Sequence, residues 1–322
     1  MNLKEAAILT LQNSMGVKNG EQILIVTDTP LQELGLRFFE AAKDLETEAM
    51  HINFLPRDNN GEEPPEVVAV AMKNAHVAIL ITSRSLSHTK ARKQANLNGT
   101  RVASMPGLTE GMIERTLTID YSKLQKDCAE LEDILTKGKE VHLTSELGTD
   151  LTFSIENRVG QIDGGVYIKP GDFGNLPAGE VYIAPVEGMA KGQIVIDGSM
   201  AGVGLLDEPI NIKVDNGLAV EVTGGKSAEK LKAILDKYGE KSRNIAELGL
   251  GVHPQAKLTG FILEDEKIAG SVHIALGDNS NFGGTVEVAS HLDGVIMKPT
   301  LRIDGKLVLD NGKLALIPER HG

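Results

Sequence analysis

The sequence predicts an α/β fold in two parts. An N-terminal doubly wound parallel-sheet domain is followed by a mostly antiparallel β (α+β) C-terminal domain. Apolar runs such as EQILIVTD and HVAILITS are nearly continuous, as strands buried on both faces require. Segments with helical spacing, LQELGLRFFEAAKDL and PPEVVAVAMKNA, alternate with them, and repeated strand–helix units imply a parallel sheet. Past residue 138 the pattern changes to alternating strands broken by Asn-Gly and Asp-Gly turns.

The chain opens on MNLKEAAILTLQNSMGV, an amphipathic helical pattern without a signal-peptide apolar core. The strands EQILIVTD, EAMHINFL, HVAILITS and TRVASMPG follow, with helices between them, one opened by a Pro-Pro pair and another in SHTKARKQANLNG. No G-x-G-x-x-G or P-loop accompanies this architecture. SKLQKDCAELEDILT, residues 123–137, reads as a connecting helix, which divides the chain into domains 1–137 and 138–322. In the second, IKVDNGLAVEV turns at Asn216-Gly217, and LRIDGKLVLDNGKLALIP turns at Asp304-Gly305 and Asn311-Gly312. One helix, SAEKLKAILDKYG, is expected to start at a Ser227 cap and stop at Gly239.

With 322 residues there is room for two cores. A net charge of −12, with 3% aromatics and no Trp, argues against nucleic acid, whose binders carry basic patches and stacking rings. No apolar run approaches the ~20 residues of a membrane span. The single Cys128 excludes an internal disulfide and reads as a buried small residue in a helix. A cytoplasmic, acidic protein that handles a peptide or another small molecule is expected, with no nucleic-acid or membrane partner.

Chemistry-bearing residues gather in the second part. A strand sends alternate side chains to opposite faces, so GTVEVASHLDGVI places Glu287, His291 and Asp293 on one face. GSVHIALGDN sets His273 among small residues, GEVYIAPVEG puts Glu180 at a strand start, and NIAELGLGV gives Glu247 with Gly249 two positions on. Each is an ionisable group in an otherwise apolar strand, and burying one unpaired costs several kcal/mol. For Glu287 a solvated outer face is favoured. Two histidines and three carboxylates suit Zn, Co or Mn, and suit iron as well.

The stretches NLPAGEVYIAPVEG, NIAELGLG, EDEKIAGSVHIALGDN and SHLDGVI, in that order, resemble the aminopeptidase T/aminopeptidase S family of metallopeptidases. The resemblance implies a homodimer that releases N-terminal residues from peptides, with two divalent metal ions in the C-terminal domain. It assigns Glu180, Glu247, His273, His291 and Asp293 as metal ligands. It makes Glu266 the glutamate upstream of the first histidine, cast here as the catalytic acid and base. A metal-activated water would attack the peptide carbonyl, and a metal or an acidic residue such as Glu187, otherwise a surface acid, would hold the substrate's amine. The family also carries a tyrosine seven residues after the first histidine, where this chain has Ser280, with Phe282 nearby.

The 2,5-dihydroxypyridine ring-cleaving dioxygenases are similar to that family. On this alternative, His273, His291 and Asp293 form a two-histidine, one-carboxylate triad on a single iron, and Glu180 and Glu247 have no ligand role. Two further features stand out. SRSLSHTKAR, residues 83–92, follows a buried parallel strand, where ligands of open α/β sheets collect. A capped helix start is its structural alternative. His253 lies in a turn before Pro254 and, like His51, His76, His142 and His321, is assigned a structural or surface place.

Overall fold

The computed structural model describes residues 3–315, so His321 lies outside the described residues. The chain groups into two compact units. One takes the chain through Gln125 together with Asp163–Ala178, the other Lys126–Ile162 and the chain from Gly179 onward.

The first unit is built on a five-stranded parallel sheet in the order Glu48–Phe54, Gln22–Asp28, Val77–Ile81, Arg101–Ser104, Phe173–Asn175. Val77–Ile81 is buried throughout, as its unbroken apolar run demands. Leu24, Val26, Leu80 and Val102 pack with Val68 and Met72 from a flanking helix, Glu66–Asn74. Each such side chain contributes about 1.5–3 kcal/mol when fully buried. The 83–92 segment is a helix start: Thr89 Oγ1 accepts from Arg92 N at 3.2 Å and caps Lys90–Leu97. The Glu63 carboxylate accepts from Lys90 N and Ala91 N at 2.6 and 3.1 Å. Ser83 is drawn back to Asp28 Oδ2, its backbone N donating at 2.7 Å.

The second unit carries two antiparallel sheets. One has eight strands, and its three Asx-Gly turns fall where the sequence puts them, with φ of 48° at Asn216, 50° at Asp304 and 46° at Asn311. The middle of the other sheet runs Glu180–Ile183, Ile245–Gly251, Val272–Gly277, His291–Ile296, each strand antiparallel to the next. Two expectations are corrected. The helix spans Gly225–Tyr238 with Gly224 at its N-cap, and Ser227 sits inside it, donating to Asp207 Oδ1 at 2.7 Å. The last strand of the site starts only at His291, because residues 278–290 form a loop, and Glu287 is exposed on that loop. Among the described residues no helix is long and apolar enough to cross a membrane.

Candidate metal centre

Register explains why the ionisable residues meet. Across the sheet Gly251 faces Glu180, Gly249 faces both Tyr182 and His273, Ala275 faces Asp293 and Gly277 faces His291. Paired residues share a face, so one face displays Glu180, Glu247, His273, His291 and Asp293 over a floor of Gly249, Gly251, Ala275 and Gly277. The floor must be small. A Cβ on Gly249 would stand 1.9 Å from His273 Nε2, so the imidazole lies directly over that glycine.

The polar atoms converge in two groups that share Glu247: Glu180, Glu247 and His273, and Glu247, His291 and Asp293, with the ligand atoms of each group within 4.8 Å of one another. Glu247 stands between the imidazoles, Oε1 at 3.2 Å from His273 Nε2 and Oε2 at 3.4 Å from His291 Nε2. Asp293 Oδ1 is 3.2 Å from His291 Nε2, and Glu180 Oε2 is 3.3 Å from His273 Nε2. His291 Nδ1 lies 2.8 Å from the Asp278 carbonyl oxygen. A carbonyl only accepts, so Nδ1 carries the hydrogen and Nε2 faces the carboxylates, the tautomer a metal-ligating histidine needs.

Lys267 joins the same cluster. Its Nζ donates to Glu180 Oε1 at 2.6 Å and to Glu266 Oε1 at 2.5 Å, and its side chain is wholly buried. Four carboxylates therefore surround one ammonium and two imidazoles. Burial alone would lower the pKa of His273, but its hydrogen bond to Glu247 and the charges of Glu180, Glu247 and Asp293 raise it to about 9. Burial opposes protonation of His291 too, and the charge of Asp293, with its hydrogen bond, overrides it and holds the pKa well above the ordinary value. Asp293 would rise on burial, but His291, His273 and Lys267 hold it below the usual carboxylate range. Burial is the largest influence on Glu266 and raises it, against the pull of Lys267. Protons stand in for a cation here. The donor set, two imidazoles and carboxylates over a glycine floor that leaves them room, fits a divalent metal ion.

A loop closes one side. Phe282 lies 5.9 Å from the His291 ring at 84° and 5.5 Å from the Tyr182 ring at 78°, both edge-on. Tyr182 was passed over in the sequence. Its signal was alternation: it shares a face with Glu180, two residues before it. Ser280 is exposed, and its hydroxyl turns to Asp278 at 3.1 Å. Glu187 is not an amine pocket. Its carboxylate accepts from Arg158, from Asn279 Nδ2 at 3.0 Å and from Thr285 N at 2.7 Å, which tethers the Phe282 loop. His253 is structural as well, its Nδ1 accepting from Gln255 N and Ala256 N at 3.1 and 3.0 Å.

Comparison with known proteins decides between the two families. A family model described as 2,5-dihydroxypyridine 5,6-dioxygenase matches residues 6–316. A 2,5-dihydroxypyridine 5,6-dioxygenase of Pseudomonas putida is 22% identical over 244 residues, which is 72% of this chain and 69% of that protein. Aminopeptidase T of Thermus aquaticus is 32% identical over 182 residues, but these span only 50% of this chain and 43% of that protein. Among solved structures, the 2,5-dihydroxypyridine dioxygenase of Pseudomonas putida KT2440 superposes with a TM-score of 0.83 at 18% identity, covering 98% of this chain and 97% of that one. Wild-type AmpT of Thermus thermophilus gives 0.74 at 19% identity, covering 98% and 99%. Both share the fold: a parallel doubly wound sheet followed by antiparallel sheets.

These findings overturn the expected aminopeptidase family, its peptidase activity, its peptide substrate and its complement of two Zn, Co or Mn ions. The homodimer implied by that resemblance loses its support with it. Geometry bears on the same point, since the ammonium of Lys267 already contacts both Glu180 and Glu266. Over residues 6–316 the chain belongs to the 2,5-dihydroxypyridine 5,6-dioxygenase family.

Proposed function

We propose that this chain is a cytoplasmic, mononuclear non-haem iron dioxygenase that opens a small dihydroxylated aromatic ring, with 2,5-dihydroxypyridine as the first substrate to test. The observation that carries the reading is the family match over residues 6–316, joined to two imidazoles and a carboxylate carried on one sheet face. His273, His291 and Asp293 hold the iron, with Glu247 between the two imidazoles. Bound there, iron(II) supplies open positions at which dioxygen and a ring hydroxyl can meet.

The other steps belong to the chain. The Asp278 carbonyl fixes the His291 ring and keeps its Nε2 turned inward. Phe282 and Tyr182 form an aromatic wall beside His291, against which a planar ring can stack. Glu180, tied to Lys267 through Oε1, holds its other oxygen 3.3 Å from His273 Nε2. Glu266, its pKa raised by burial, accepts from Lys267 at the margin of the site. In the overall reaction one ring bond breaks and both atoms of dioxygen enter the product, so no external reductant is needed.

The test is anaerobic loading with iron(II), gel filtration and metal analysis, followed by oxygen uptake and loss of ring absorbance with 2,5-dihydroxypyridine. One iron per chain and stoichiometric oxygen uptake are expected, both lost in His291→Ala and the iron kept in Glu180→Ala. An iron-loaded protein that consumes no oxygen with any dihydroxylated pyridine or benzene would sink the reading.

A further inference from the structure

Lys267 has no part in holding iron, yet it is among the most deeply enclosed charges in the chain, with a side-chain exposure of 0%. Lysine is almost never fully buried unless paired, and an ammonium taken out of water must be repaid by close, well-directed partners. Two of its partners are Glu180 Oε1 at 2.6 Å and Glu266 Oε1 at 2.5 Å.

Its backbone is equally fixed. Lys267 N donates to Glu264 O at 3.0 Å, and Lys267 O accepts from His253 N at 2.8 Å. Gly251, opposite Glu180 in the sheet, lets this segment close down on the strand. A Cβ there would stand 2.7 Å from the Lys267 carbonyl carbon and 2.3 Å from Ile268 O. A glycine floor, a helical turn and two carboxylates thus converge on one ammonium.

Its position relative to the donors gives it a purpose. Of the two donor groups, a second metal would need the one made by Glu180, Glu247 and His273, and so would draw on Glu180. Glu180 Oε1 is already on Lys267, and its other oxygen lies 3.3 Å from His273 Nε2. A second divalent ion would sit one carboxylate away from a fixed positive charge, in a site with little water to screen the repulsion.

We propose that Lys267 is a built-in cation that fills the second cationic position of the cluster and limits the centre to one metal ion. The inference rests on the single-metal reading above. It adds the residue that enforces the count.

The experiment is metal stoichiometry, read by elemental analysis after loading with excess Zn²⁺ or Mn²⁺ and desalting, with no substrate present. Wild type is expected to retain one equivalent and Lys267→Met, which keeps the length and apolar stem, to retain two. Lys267→Arg keeps the charge and stays at one. A folded Lys267→Met protein that still holds one equivalent overturns the proposal, as does a wild-type protein that holds two. If Lys267→Met does not fold, electron paramagnetic resonance of wild type with excess Mn²⁺ decides. Uncoupled manganese alone supports the proposal, and a spin-coupled pair overturns it. Because the count is read without turnover, a protein with one metal that leaves dihydroxypyridine intact refutes the proposed function and spares the role of Lys267.

Discussion

Metal uptake should depend steeply on pH, and the structure sets the slope. With no metal bound, His273 has a pKa of about 9, raised against the cost of burial by Glu247, Glu180 and Asp293. At pH 7 its Nε2 therefore carries a proton that an incoming ion must displace. Two pH units below that pKa correspond to about 2.7 kcal/mol, or roughly a hundredfold in affinity, from this residue alone. His291 is raised in the same direction and adds a second displaced proton, whereas Asp293 and Glu247 are held low and release none. The sign is fixed: affinity rises with pH below about 9, and the contribution of His273 ends once it loses its proton above that. Competition between metal-free protein and a chelator for Zn²⁺, from pH 6.5 to 9 and corrected for chelator and metal hydrolysis, measures it. A slope of about one to two decades per pH unit near pH 7.5 is expected. A flat profile from pH 7 to 8.5 would refute the assignment of these imidazoles as ligands.

Two substitutions test the parts that hold the site. Gly249→Ala puts a Cβ 1.9 Å from His273 Nε2; the ring must move, at a cost of about 1–3 kcal/mol in urea denaturation, and iron per chain falls. Full iron with unchanged stability would show that the ring does not depend on that glycine. Glu187→Ala frees Asn279 and Thr285 and slackens the loop that carries Phe282. KM for the aromatic substrate is expected to rise roughly 2–10-fold, the worth of about 0.5–1.5 kcal/mol of ring contact, with iron retained; an unmoved KM removes Phe282 from substrate binding.

Much of this was legible in the sequence, for identifiable reasons. Parallel strands buried on both faces must be apolar runs, and EQILIVTD and HVAILITS declare themselves. Hairpins that need positive φ at consecutive positions advertise Asn-Gly and Asp-Gly. Ionisable residues in apolar strands are costly enough to be conspicuous, so Glu180, Glu247, His273, His291 and Asp293 could be picked out before the register was known. Other features left no local trace. Phe173–Asn175 is three residues long and joins the first sheet after an excursion through the second unit. Glu187 reads as a candidate amine-binding acid because its partners, Arg158 and the loop residues Asn279 and Thr285, are distant from it in sequence. The wall of Tyr182 and Phe282 is assembled from a strand and a distant loop, and neither ring stands out where it lies.

Lys267 is the case that mattered most. In EDEKIAG it reads as one member of a charged run on a solvated turn, the ordinary fate of such a lysine. Only when the short helix Ile262–Asp265 turns back onto Gly251 does the ammonium reach Glu180, which belongs to another strand. Ligand types can be read from alternation, because alternation is local. The number of cations a carboxylate cluster will accept depends on the total charge enclosed with it, and that total is a property of the fold. A resemblance carried by Glu180, Glu247, His273, His291 and Asp293 therefore leaves one metal and two metals equally compatible with the same residues. On the proposal made here, a further charged group, adjacent in sequence to Glu266 and easily passed over, decides between them.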